Sequence, residues 1–245
     1  MIEKTLDYVA LDLETTGLSP RDDRIIEIGA VKYSGGRRTE NFSCFVNPRI
    51  SIPARITEIT GIDDAMVKAA PAIEEVLGEL LEFVGELPLL GHNITFDYGF
   101  ICQKALDMKI KYRTKGIDTH RISRSILPQL ESRSLESLCG YYSIVEEPRH
   151  RAFSDAAAAA RLYDRLYEEA VARNMEDSPG LFMASDIAYT VRKDTPATAK
   201  QISFLNSLLR RYGIQLDKEI GTLSKRQASR EIDRILSTYG RQFGV

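Results

Sequence analysis

The chain has 245 residues, 43% of them hydrophobic and 28% charged, with a net charge of −2. This composition excludes a mainly disordered chain, and the length suits one large domain with a small appendage. No apolar run approaches the ~20 residues of a bilayer span, and the opening Met1-Ile2-Glu3-Lys4 lacks a signal peptide's apolar stretch, so a cytoplasmic protein without membrane partners is expected.

Residues 8–13 form an apolar run that ends in charge, as a buried strand does. Residues 24–33 predict a second strand. Ser34-Gly35-Gly36-Arg37 predicts a turn, and the alternation of Phe42, Cys44 and Phe45 within 38–46 predicts a third strand that closes a hairpin. The glycine pair is not a phosphate loop, because no helix opens after it. Ile73, Val76, Leu77, Leu80, Leu81 and Val84 recur at helical spacing over 71–86, and 88–92 reads as a short buried strand. Helices are expected at 96–108, 119–127, 134–142 and 153–173, the last containing five consecutive alanines from Ala156 to Ala160. Strands first, then helices alternating with short strands, predict a mixed α/β sheet with helices on its faces.

Residues 174–194 have weak periodicity and contain Ser178-Pro179-Gly180, and are expected to form a linker. It separates a domain at 1–173 from a helical module at 195–245. In that module Thr195-Pro196 predicts an N-cap and first helical position, followed by an apolar face of Ile202, Leu205, Leu208, Leu209 and Tyr212 and a stop at Gly213. Ser224 to Gln227 predicts a capping box before a second face of Ala228, Ile232, Ile235, Leu236 and Tyr239, with Gly240 as its stop. The module holds nine basic and four acidic residues, a balance of +5, while residues 1–194 carry −7. A basic surface for a polyanion or a docking partner is expected, with Lys225, Arg226, Arg230 and Arg234 on the second helix. Cys44, Cys102 and Cys139 stand far apart and are odd in number, so they predict small core residues and neither a disulfide framework nor a zinc site.

Asp12 and Glu14 are two apart at the end of the first strand, which puts both carboxylates on one face. They repel unless positive charge sits between them, and a hard divalent cation suits oxygen ligands. Asp97 follows a strand-to-helix turn at Gly91-His92-Asn93 and can converge on the same place. His150 and Asp155 then bracket the start of the alanine-rich helix, with the histidine on the preceding loop. His92 is expected to bond locally behind Asp97, and Asp118 to cap a helix or support the acids.

Asp12-Leu13-Glu14-Thr15-Thr16-Gly17-Leu18, His92-Asn93-Ile94-Thr95-Phe96-Asp97 and His150-Arg151-Ala152-Phe153-Ser154-Asp155-Ala156 together resemble the three motifs of the DEDDh 3′→5′ exonucleases. Arg24 to Ala30, Ile59-Thr60-Gly61-Ile62 and Ile117-Asp118-Thr119 are similar to the same family, most of all to the proofreading exonucleases of bacterial DNA polymerase III. The resemblance covers about residues 5–172, and residues 195–245 lie outside it. It implies a ribonuclease-H-like fold and release of nucleoside monophosphates from a 3′ end of DNA. It further implies two divalent ions, Mg²⁺ or Mn²⁺, held by Asp12, Glu14, Asp97 and Asp155, with His150 as general base. Two such ions can generate the nucleophile, neutralise the phosphate and stabilise the leaving oxygen.

Substrate contacts are expected from the backbone of Thr15, Thr16 and Gly17, from Asn93, and from Phe96 and Ile62, with Phe100 and Ile59 as further apolar candidates; a core role for the apolar residues stands beside this. The expected partners are single-stranded or frayed 3′ ends, and a DNA polymerase or repair protein. Two other readings stay open: the same chemistry on RNA or short oligoribonucleotides, and a module that binds nucleic acid without cutting.

Overall fold

A computed structural model describes residues 2–145, 151–175, 180–190, 195–216 and 219–239. The described chain divides into two compact units, at residues 1–191 and 192–245.

In the first unit, β1 (Tyr8–Thr15), β2 (Ile25–Ser34) and β3 (Arg37–Phe45) run antiparallel. Gly35 and Gly36 close the β2–β3 hairpin in two residues, both with positive φ (56° and 74°), as the tight turn that matches strand twist requires. Then come the short helices α1 (Ala54–Thr60) and α2 (Asp64–Val67), the amphipathic α3 (Ile73–Val84), β4 (Leu89–Gly91), α4 (Thr95–Asp107) and β5 (Lys115–Asp118). Helices α5 (Thr119–Ile126), α6 (Leu135–Tyr141) and α7 (Ala152–Ala172) and a two-residue β6 (Ser185–Asp186) complete it. The sheet order is β3-β2-β1-β4-β5-β6, with β1, β4 and β5 mutually parallel. This is a ribonuclease-H-like mixed sheet with a helical layer on each face.

Alternation along β1 sorts the two cores. Val9, Leu11 and Leu13 face the α3–α4 side, while Tyr8 and Ala10 face the α5–α7 side. Asp12 and Glu14 continue the second set, so they lie under α7. The alanines 156–160 are all buried, and their small side chains let α7 lie close to the sheet.

Two features depart from the sequence expectation. Helices α1 and α2 and strands β5 and β6 are too short to show a periodicity of their own. Residues 180–190, expected as linker, pack on the first unit: Phe182 is fully buried and accepts a hydrogen bond from the Tyr163 hydroxyl at 2.6 Å, and β6 pairs with β5. Among the described residues no helix is long and apolar enough to cross a membrane. None of the three cysteines is in a disulfide, and two of them are buried.

The second unit contains α8 (Ala199–Tyr212), a 3-10 turn at Ile220–Thr222 and α9 (Lys225–Tyr239) around Leu205, Leu208, Leu209, Leu223, Ala228 and Ile235. The cap of α8 is Thr198, not Thr195, because Thr198 and Gln201 form a reciprocal capping box. The Thr195 carbonyl instead accepts from the Lys225 amide. Ser224 and Gln227 form the expected box, and Gly213 ends α8 at φ 65°. Leu236, expected in the apolar face of α9, is 39% exposed and is not among the residues of that core. The expected stop at Gly240 lies outside the described residues.

Candidate active site

The end of β1 carries Asp12 and Glu14 on the face that meets α7. On β2, Glu27 pairs with Glu14 and Gly29 pairs with Asp12. A Cβ on Gly29 would overlap the backbone of Ala152 and Phe153, so the bare glycine is what lets the start of α7 rest on the sheet. Glu27 then holds that helix end. Its carboxylate is almost fully buried, accepts from the Ala152 amide at 3.1 Å, and takes a two-point contact from Arg151, with Nη2 at 2.7 Å and Nε at 3.0 Å. Arg151 also lies over the Phe45 ring.

This anchoring brings Asp155, in the first turn of α7, against β1. Asp12, Glu14 and Asp155 each offer a carboxylate oxygen within 4.8 Å of the others. Asp97, in the first turn of α4, is buried, and its Oδ1 accepts from the Leu13 amide at 3.0 Å, between the two β1 acids. All four line one cavity of about 340 Å³. Hard carboxylate oxygens at this spacing suit a divalent cation. Among the described residues no lysine or arginine lines that cavity.

The electrostatics agree. Burial pushes the Asp12 carboxyl well above the usual range, and Asp97, Asp155, Glu14 and Glu27 push it further. Burial also raises Asp97, against the hydrogen bond from Leu13. Glu14 is pushed up to about 7, by burial first and Asp155 next, with Arg151 opposing. Four acids at this place do not all ionise without added positive charge.

Asn93 and Phe96 line the cavity. Thr15, the last residue of β1, and Thr16, just after it, are buried. The Thr15 hydroxyl donates to the Gly17 carbonyl at 2.7 Å and Thr16 Oγ1 accepts from the Arg24 amide at 2.9 Å, so both hydroxyls shape the loop. The Asp23 carboxylate fills the space a Cβ on Gly17 would need. Ile62 corrects the expectation of a substrate contact: it is fully buried against Ile26, Ile52 and Val67. Phe100 is likewise core, while Ile59 is 47% exposed. His150 lies outside the described residues.

His92 bonds locally, as expected. Nε2 donates to the Arg133 carbonyl at 2.8 Å, because a carbonyl can only accept, and Nδ1 meets the Thr119 hydroxyl at 2.9 Å. Burial lowers its pKa. Asp118 caps α5 through the amides of His120 and Arg121 and also accepts from the backbone amide of Asn93, which has a φ of 69° and lines the cavity. Glu27 and Arg151, and Ser134, Leu135 and Glu136 of the cavity wall, are residues of the site beyond those expected from the sequence. A glutamate inside an otherwise apolar strand was the signal for the first.

A ribonuclease-H-like sheet with converging carboxylates at the end of its central strand defines a nuclease-type site. The Exonuclease family RNase_T matches residues 9–163, and the chain belongs to it. The DNA polymerase III PolC-type of Clostridium perfringens is 42% identical over 156 residues, covering 64% of this chain and 11% of that protein. The DNA polymerase III subunit epsilon of Aquifex aeolicus is 36% identical over 163 residues, covering 66% of this chain and 81% of that one. The chain thus spans about a ninth of the length of the PolC-type relative. In fold it is similar to the nuclease domain of 3′hExo, a DEDDh family member bound to rAMP, with TM-score 0.59 and 18% identity over 77% of this chain and all of that one.

Proposed function

We propose that this exonuclease hydrolyses DNA stepwise from single-stranded or frayed 3′ ends and releases nucleoside monophosphates. The observation that carries the reading is the convergence of Asp12, Glu14, Asp97 and Asp155, from one strand and two helix starts, on one cavity.

Asp12, Glu14, Asp97 and Asp155 would hold two divalent ions, Mg²⁺ or Mn²⁺. Such ions supply charge neutralisation at the phosphate, an acidified water and support for the leaving oxygen. Asn93, exposed at the cavity mouth, donates to a phosphate or sugar oxygen, and Phe96 offers a ring to the terminal base. The backbone of residues 15–17, held rigid by the Thr15 and Thr16 hydroxyls, borders the terminal sugar. His150, one residue before the anchored Arg151, takes the proton of the attacking water, since an imidazole changes charge near neutral pH. Water adds to phosphorus, the bond to the 3′ oxygen of the preceding nucleotide breaks, and that oxygen leaves with a proton.

DNA is the preferred substrate because both of these relatives are named as DNA polymerase III proteins. The same names support a polymerase complex as partner and a cytoplasmic setting, and a repair protein is the other candidate partner. The rAMP bound to the 3′hExo domain favours RNA as a second reading. Digestion of 5′-labelled single strands of DNA and RNA with Mg²⁺, Mn²⁺ or EDTA decides between them. A ladder shortening from the 3′ end of DNA, lost in EDTA, is expected; equal cutting in EDTA or cleavage from the 5′ end overturns the proposal.

A further inference from the structure

Helix α8 contains no acidic residue. Leu205, Leu208 and Leu209 turn inward and complete the core of the second unit with Leu223, Ala228 and Ile235. Lys200, Phe204, Ser207 and Arg211 follow one another at spacings of four, three and four, so they form one stripe down the opposite side. All four are exposed, and Phe204 keeps 47% of its surface in solvent. Ser203 and Arg210, also exposed, flank the stripe. Lys200 and Arg211 are about 16 Å apart along the helix, from its 1.5 Å rise per residue, with the ring between them.

Helix α9, expected from the sequence to carry the basic surface, is less suited to it. Arg234 is in an ion pair with Glu231 at 2.8 Å, Arg226 and Arg230 are half-buried, and Asp233 adds a second acid.

We propose that the Lys200–Phe204–Ser207–Arg211 face of α8 holds a segment of single-stranded nucleic acid, with phosphates on Lys200 and Arg211 and one base stacked on Phe204. Cations without acids complement a polyanion, and a ring between them stacks a base of any sequence. A duplex hides its base faces inside the stack, which selects a single strand. One exposed ring is also far smaller than the several hundred Å² of a protein-binding apolar patch. The choice of occupant rests on the exonuclease reading; the surface itself lies outside the region matched to the exonuclease family, residues 9–163.

The test uses the full chain and a fluorescent 30-nucleotide oligo-dT in EDTA, which stops cleavage, with affinity measured across a salt series. Cleavage of a tetranucleotide in Mg²⁺ or Mn²⁺ is followed in parallel. Phe204→Ala is expected to weaken binding of the long strand by about 5- to 150-fold, the range for one stacked base, and Phe204→Trp to retain it. Lys200→Glu with Arg211→Glu is expected to lower the salt slope by about 1.4, at about 0.7 per single-strand phosphate contact. Tetranucleotide turnover stays at the wild-type value in every variant. Wild-type affinity and salt slope in these variants, with cleavage intact, overturn the α8 proposal and leave the exonuclease reading standing. A wild-type chain that neither cuts the tetranucleotide nor binds the long strand overturns both.

Discussion

At the residue scale the acid cluster is a store of repulsion that added cations relieve. Glu14, pushed up to about 7, takes up a proton more readily in the folded than in the unfolded chain. Its contribution to stability is therefore full below its ordinary pKa of 4.5 and is lost as pH rises through about 7. The metal-free protein is expected to melt at lower temperature at pH 8 than at pH 5 from this group. Mn²⁺ should reverse the loss, a pattern that calorimetry across pH with and without the ion reads directly. Asp12→Asn removes one ionisable carboxyl from the cluster with little change of shape. It should abolish cleavage yet raise the melting temperature of the metal-free protein by about 2–4 °C, the shift of ~1 kcal/mol at this chain length. A drop in melting temperature would show that the carboxylate is needed for the fold. His150→Ala should slow turnover by roughly 10²–10⁴-fold, the contribution of a positioned base, with the Mn²⁺ activation midpoint unchanged. Near-normal turnover removes that role.

At the scale of elements, the site depends on how α7 meets β2. Gly29 admits the helix and Glu27 fastens its first turn, so Asp155 stands where it does because of two residues on a strand it does not belong to. Gly29→Ala should cost about 1–3 kcal/mol, as overpacking does. It should also lower activity of the folded molecules by displacing Asp155. Thermal melts paired with turnover per folded molecule check this; full activity in a destabilised variant would separate the contact from the site. Glu27→Ala deletes a helix cap and leaves Arg151 without its anion, and about 1–2 kcal/mol is expected from the cap. Much of this architecture was readable beforehand. The β2–β3 hairpin followed from two glycines between apolar runs, and α7 from its alanines. Where α7 lands on the sheet was not readable, because a strand and a helix 120 residues apart carry no linear sign of their contact.

At the scale of the whole molecule, two compact units imply separable tasks. Removing residues 195–245 is expected to leave cleavage of a short oligonucleotide unchanged at saturation. Binding of a long strand should weaken, and the loss should shrink as salt rises. Binding titrations at two ionic strengths check it, and equal affinity at low salt would deny the second unit any part in holding substrate.

The linear sequence by itself determined the chemistry. Four carboxylates in ordered motifs at strand ends and helix starts are a local property, and so is each element long enough to show its period. Only the tertiary structure decided which apolar residues face the cavity. Ile62 and Phe96 look alike in sequence, yet one is sealed against Ile26, Ile52 and Val67 and the other lines the cavity. It also decided that residues 180–190 belong to the first unit, through Phe182, and that the open cationic face lies on α8. The physical reason is the same each time: periodicity tells which face of an element is apolar, but burial depends on what the rest of the chain lays against it.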